Sequence, residues 1–473
     1  MRSNRWSFVL ILLGALFVLV APGIVFAEEG RSFGEAESLD ESAGGLRSIS
    51  LEEALRLARF QSHQIRIGTL ELDKAELARS EARWGRLPSV SLEGQYTNNI
   101  RTPAIVLPED SPFGGGILRT GSRHNFQGSL QASVSIYNAQ LNRNIELREV
   151  LLSLERTLLE ATEQEVALEV QRAYVNALLA REIRDVVVAS FESLERNFRF
   201  VEGMYRVGAV PEYDLIRAEV QYRNLEPEIQ GAKDQVEGTL NYLKLLVGID
   251  LQEEIALSET LEAIFNEKAG TGFEGDFSRN RDLLQVAGQE RVVDVQRALE
   301  EATYLPTVAA FGNFTYQGSG DELDVWNHQW FSTAVVGLSV SVPLIQGGRR
   351  QRVDQARVEA RQVQMQREFL LRSLRSQYET TSRRLETLEE SIDAQRRNVG
   401  QAERGYEIAR RSYEQGVHSL IDVNDAEAAL RDARRNYTTT MADYLGALFD
   451  VMDLLGVSEL NEARPRRELN HEE

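Results

Sequence analysis

Between Ile345 and Gln415 the chain has no proline, and from Leu374 onward its core positions step by four and three without a slip: Leu374, Tyr378, Thr381, Leu385, Leu388, Ile392, and on to Tyr413. A seven-residue repeat sustained this long is the pattern of coiled-coil packing. At about 1.5 Å of rise per residue, such a helix is on the order of 100 Å long, and no compact globular domain holds an element of that length. A twin runs through Leu179, Ile183, Val187, Ser190, Leu194, Phe198, Val201 and Tyr205 on the same rhythm. The fold is therefore elongated.

Each long helix is entered from a strand. In SVSVPLIQGGRRQRV the alternation of Ser339, Val340, Ser341 and Val342 is interrupted by Pro343, Gly347 and Gly348, after which Arg349 opens the helical rhythm; SVSIYNAQLNRNIEL at Ser133 makes the same change. Alternation over about a dozen residues marks half-buried strands, expected over 87–98, 126–137, 305–316 and 332–343. Val90, Leu92 and Tyr96 share one face of the first, and Phe126, Leu130, Ala132, Val134 and Ile136 one face of the second, with Tyr137 among its polar residues. Ala334, Val336, Leu338, Val340 and Val342 line one face of the fourth, while Phe311 falls on the polar side of the third.

The chain also copies itself. LPSVSLEGQYT at Leu87 answers LPTVAAFGNFTY at Leu305, SVSIYNAQ answers SVSVPLIQ, and MYRVGAVPEYDLIRAEV at Met204 answers SYEQGVHSLIDVNDAEA at Ser412. Offsets of about 206 to 218 residues are too long for a solenoid unit and read as an internal duplication. The plan is a first repeat over 50–248, an equatorial connector over 249–278, a second repeat over 279–456 and a loose tail over 457–473. Each repeat reads helix, two strands, very long helix, tip turn (205–212 and 413–420) and return helix. Ser50 with Glu53 forms a capping box for a first helix reaching about Arg86, and Pro227 is expected to kink the first return helix.

Ahead of the repeats, Arg2 and Arg5 precede an apolar run and a small-residue site at Val25 and Ala27, the layout of a secretory signal over 1–27; an uncleaved anchor is the other reading. Residues 28–49 read as an acidic flexible leader. No later stretch is apolar enough for a transmembrane helix, so entry into a membrane would be by strands. A net charge of −20 over 473 residues argues against a nucleic-acid partner. With no cysteine, and with five scattered histidines, His63, His124, His328, His418 and His471, the sequence offers no metal site, cofactor or catalytic constellation.

Four strands with one apolar face cannot close a membrane barrel of at least about eight, so they must be pooled between chains. Patterning alone leaves open a soluble sandwich, a structural coiled-coil protein of the envelope and a periplasmic adaptor with helical hairpins. The LEEAL start, the paired LPxV strand openings, the VPLxxGG turn over 342–348 and the paired Tyr-x-x-Gly tips at Tyr205 and Tyr413 together resemble the TolC family of outer-membrane efflux proteins, over essentially all of 50–456. The resemblance implies a mainly α fold with membrane β: a homotrimeric, twelve-stranded outer-membrane barrel continuous with a long α-helical periplasmic barrel. It implies a passive exit duct for efflux or type I secretion, not an enzyme, that docks a periplasmic adaptor and an inner-membrane pump.

It also implies site residues. Asp422 and Asp425, three residues apart and so on one helix face just beyond the second tip turn, match the family's gate aspartates; Asp214 aligns with Asp422, while Arg217 stands opposite Asp425. An acidic first turn that merely favours the helix dipole is the alternative. Tyr205, Gly208, Tyr413, Gly416 and His418 mark the adaptor-contact tips, with His418 where some relatives carry arginine. Pro343, Gly347 and Gly348 are expected to turn strand into helix at the membrane boundary, and Tyr316, Trp326 and Trp330 to form an interfacial aromatic belt, with loop packing as the other reading.

Overall fold

The computed structural model describes residues 47–457 except 109, 111, 113–114, 120, 269–272, 274 and 325–327. The signal peptide, the leader up to residue 46, Trp326 and the tail from residue 458 lie outside the described residues. In chain order the elements are β1 (Arg47–Ile49), α1 (Leu51–Gln61), α2 (His63–Trp84), β2 (Ser89–Asn98), β3 (Ala104–Leu107), β4 (Gly116–Arg119), β5 (His124–Asn138) and α3 (Ala139–Arg206). There follow α4 (Glu212–Asn224), α5 (Glu226–Val247), β6 (Ile255–Leu257), α6 (Leu261–Lys268), α7 (Arg281–Ala302), β7 (Thr307–Gly320), β8 (Gln329–Ser341), α8 (Arg349–Glu414) and α9 (Leu420–Leu455).

The four long strands form one antiparallel sheet in the order β2-β5-β7-β8. Its register aligns the apolar sets. Val90 faces Ala132 and Leu92 faces Leu130; Leu130 faces Phe314 and Val134 faces Ala310; Ala310 faces Leu338 and Gly312 faces Val336. Since directly paired residues share a face, all four strands present one continuous apolar surface, open to the outside of the single chain: Leu92 is 81% and Val336 87% exposed. The opposite face carries Ser89, Gln95, Gln131, Ser133 and Ser339; Phe311 on that side lies over Gly337, where an added Cβ would come within 2.9 Å of its ring.

Aromatic rings bound the apolar band. At one end Tyr96 packs on Phe126 with centroids 4.8 Å apart, and Tyr316 stacks on Trp330 at 4.9 Å. At the other, the ladder shifts between Ser135 and Tyr137, so that Tyr137 pairs with Val308. The bulge absorbs Ile136 and brings Tyr137 onto the apolar face, against the simple alternation expected there. The strand path between the two ends spans about ten residues, and at a tilt near 40° this is roughly 25 Å of height, the thickness of an outer-membrane apolar band.

α3, of 68 residues, and α8, of 66, are unbroken. The expected single first helix is divided: Ser62 is extended (φ −58°, ψ 129°) between α1 and α2, beside Gln61, which lies against Gly248. The first return helix breaks at Leu225, just ahead of Pro227, because a prolyl ring disrupts the turn preceding it and removes a donor from it. The insertion between β2 and β5 holds its own hairpin, β3 with β4.

The connector is tied into the core. β1 pairs with β6, and α6 packs into the main core. Arg181 of α3 donates to the Leu257 carbonyl at 2.8 Å and to the Glu259 carbonyl, the Glu182 carboxylate accepts the Leu261 amide at 2.9 Å, and Tyr174 donates to the Ile49 carbonyl at 3.0 Å. Arg47–Ile49, assigned to the leader by sequence, are therefore ordered. Tyr174, Leu178, Leu261, Leu445, Leu448 and Phe449 are fully buried around this girdle, which clamps the long helices at mid-length.

Candidate functional site

Both long helices end in the same way. Gly208 has φ +73° and Gly416 φ +77°, a left-handed geometry that L side chains adopt only at a cost. The Gly208 amide donates to the Tyr205 carbonyl and that of Ala209 to Met204; Gly416 donates to Tyr413 and Val417 to Ser412, all at 2.9 Å. These are paired Schellman closures. The tips pack together through buried Val201, Ala218 and Leu420, with Tyr413 against Phe200 at 6.0 Å between centroids.

The next helices start differently. α9 opens with a full capping box: Asp422 Oδ2 accepts from the Ser419 amide at 2.9 Å and its hydroxyl at 2.8 Å, and the Ser419 hydroxyl accepts the Asp422 amide. His418 Nδ1 stands 3.3 Å from the same oxygen. The backbone and hydroxyl donors of Ser419, then His418, hold the Asp422 carboxyl below the usual carboxylate range. Asp422 and Asp425 lie exposed on one side of α9, while Leu420, Val423, Asn424 and Glu427 turn inward.

Asp214, the sequence counterpart of Asp422, has a different setting. Pro211 caps α4 without a side-chain bond, so no hydroxyl fixes the carboxylate. Burial pushes the Tyr413 phenol up and the charge of Asp214 adds to that effect; among the described residues the buried Tyr413 hydroxyl has no hydrogen-bond partner. Asp214 thus belongs with the packed Tyr413, and Asp422 with Asp425 on the open face. Tyr205 is 40% exposed. Among the described residues no three His, Asp or Glu side chains gather as a metal site.

At the strand-to-helix junction only Gly348, at φ +77°, needs to be glycine; Gly347 has an ordinary backbone. Pro343 gives its carbonyl to Arg349 Nη1 at 3.4 Å. Arg349, expected merely to open the helix, is buried and lies over the Tyr304 ring, 4.8 Å from its centroid. It ties the start of α8 to the end of α7, with Arg352 and Glu300 paired alongside at 3.3 Å. Its place directly after a double glycine is the one hint the sequence offers. Leu344 and Ile345 stay 87% and 98% exposed beneath the apolar band.

A sequence model described as outer membrane efflux protein matches residues 54–249 and 277–457, one segment for each repeat. The chain belongs to that family. It is 24% identical over 440 residues to the outer membrane protein TolC of Escherichia coli, covering 89% of this chain and 85% of that protein. It is 27% identical over 335 residues to the alkaline protease secretion protein AprF of Pseudomonas aeruginosa, covering 67% and 66%. Among solved structures, the CmeC outer membrane channel of Campylobacter jejuni superposes with a TM-score of 0.68 at 18% identity over 86% of this chain and 85% of that one. VceC of Vibrio cholerae superposes with 0.67 at 16% identity over 86% and 97%.

Family membership retires the soluble coiled-coil and adaptor readings. The protein is an outer-membrane exit duct with a large helical periplasmic part.

Proposed function

We propose that three copies of this chain pool their strands into one closed, twelve-stranded barrel. The single apolar face shared by β2, β5, β7 and β8 carries the reading: it is of membrane thickness, yet among the described residues β2 and β8 each leave one edge unpaired. In lipid an open edge leaves backbone groups unsatisfied at several kcal/mol each, so β2 of one copy pairs with β8 of the next. The polar face then lines the lumen, and the helices continue it into the periplasm as a passive conduit with no chemistry of its own. Detergent-solubilised protein should be a trimer on multi-angle light scattering; a monomer sinks the proposal.

Asp422 and Asp425, exposed on one side of α9, ring the narrow periplasmic entrance in this assembly and make it cation-selective. Tyr205, Gly208, Tyr413, Gly416 and His418 form the tips that meet the periplasmic adaptor, through which an inner-membrane pump delivers its cargo. In planar bilayers, the Asp422→Asn, Asp425→Asn double variant should lose both cation preference and block by divalent cations. Retention of both would leave Asp422 with only its helix-capping role.

A further inference from the structure

Above the tips, α3, α8 and α9 enclose a cleft of about 640 Å³. Its charged lining is almost entirely paired. On α3, Glu192 meets Arg196 at 3.9 Å. On α8, Glu407 meets Arg411 at 3.1 Å and Arg410 meets Glu414 at 3.5 Å. Arg434 of α9 crosses to Glu403 of α8 at 2.7 Å, and Arg431 stands 4.0 Å from Asp432.

Glu427 is the exception among the described residues that line the cleft. It is only 5% exposed, has no ion-pair partner, and accepts a hydrogen bond from Ser190, itself 5% exposed. Beside it the hydroxyls of Ser193 and Tyr406 meet at 2.5 Å. Ser190 occupies a position where the seven-residue repeat calls for an apolar side chain, so a polar layer interrupts the seam between α3 and the α8–α9 hairpin. Such layers weaken a helical seam while fixing its register, and an ionised carboxylate held there by one neutral donor is poorly compensated.

We infer that Glu427 latches the α8–α9 hairpin to α3 as a neutral acid and releases it on ionisation, so that protons hold the conduit shut at a level above the tip constriction. The latch rests on the proposal that the tips form the closed end of the conduit. Burial raises the Glu427 carboxyl above its ordinary range; Asp432 adds to this, while the Ser190 hydrogen bond, Arg431 and Arg434 oppose it. Parting of the hairpin would admit water and return the group to its ordinary value. The closed form therefore binds the extra proton: it gains as pH falls from the raised value toward the ordinary one, and loses as pH rises through the raised value.

The test is the open probability of the full-length protein in planar bilayers across a pH series, in the Asp422→Asn, Asp425→Asn background so that the two α9 aspartates of the entrance do not titrate. The background channel should close as pH falls, with a midpoint above the ordinary carboxylate range. Glu427→Gln should abolish the step and stay in the low-conductance form. Ser190→Ala, which removes the hydrogen bond that holds Glu427 to α3, should weaken the closed form at every pH and move the step to lower pH, and it carries the test if Glu427→Gln fails to assemble. A step unchanged by either variant overturns the latch and leaves the conduit standing, whereas a protein that forms no channel at any pH overturns both.

Discussion

Val335 and Val336 allow the orientation of the sheet to be tested with one residue type on one strand. The register puts Val336 opposite Gly312 on the apolar face and Val335 opposite Asn313 on the polar one. Val336 lies six residues from Trp330 and four from Val340, close to the middle of the roughly 25 Å band. An arginine facing lipid at that depth costs about 2–4 kcal/mol, and the three copies of the proposed closed barrel would raise this to about 6–12 kcal/mol. Val335→Arg places the same charge in a water-filled lumen, where the cost falls to within about 1 kcal/mol of a neutral surface change. Urea titration of protein reconstituted in phosphatidylcholine vesicles, followed by tryptophan fluorescence, reads the difference. Val336→Arg should lower the midpoint strongly or block insertion, while Val335→Arg should insert and reduce cation conductance. Equal destabilisation by the two substitutions, or the reverse order, would refute the argument that register and alternation fix which face meets lipid.

Other consequences concern the helices. Gly348→Ala should cost about 1–2 kcal/mol because of its left-handed φ, whereas Gly347→Ala, which meets nothing within 4 Å, should be close to neutral in the same denaturation assay. Leu448→Ala empties a fully buried site in the girdle and should cost about 2–5 kcal/mol, read as a lower thermal midpoint by circular dichroism. Ser419→Ala removes the hydroxyl half of the α9 cap and should speed amide exchange in its first turn. Acid should do the same. The Asp422 carboxyl is held low, so the cap is intact above the ordinary carboxylate pKa and is lost as pH falls through the lowered one.

Periodicity made the elongated plan legible. The step of Leu374, Tyr378 and Leu385 announced a helix too long for a globule, and alternation at Val90, Leu130 and Leu338 announced sheet faces that the register then aligned. Local interruptions were harder to place. Ile136 fits the alternation perfectly as a letter, and only pairing with β7 reveals that the ladder skips it. Pro227 announced a break, but its steric effect falls on the turn before it, at Leu225. The connector was legible only as a join between the repeats, because its order comes from distant partners such as Arg181 and Glu182, which local sequence cannot show. The tip motif exposed the matching of Asp214 to Asp422, yet Pro211 in place of Ser419 gives the two aspartates different surroundings. Ser190 was visible as a polar residue in an apolar repeat; that it faces Glu427 depends on how two helices far apart in sequence meet.

The unpaired edges of β2 and β8 also govern how the protein reaches its final place. A lone chain offers the bilayer an apolar sheet it would bury readily, together with two rows of backbone groups the hydrocarbon would reject. In the proposed three-chain barrel, insertion waits on encounter among chains: its rate should rise steeply with the concentration of unassembled subunits, and a mixed ring containing one chain with a damaged edge should fail as a whole. Variants at those edges would then behave as dominant inhibitors of assembly, with a severity set by subunit ratio and not by the stability of the altered chain.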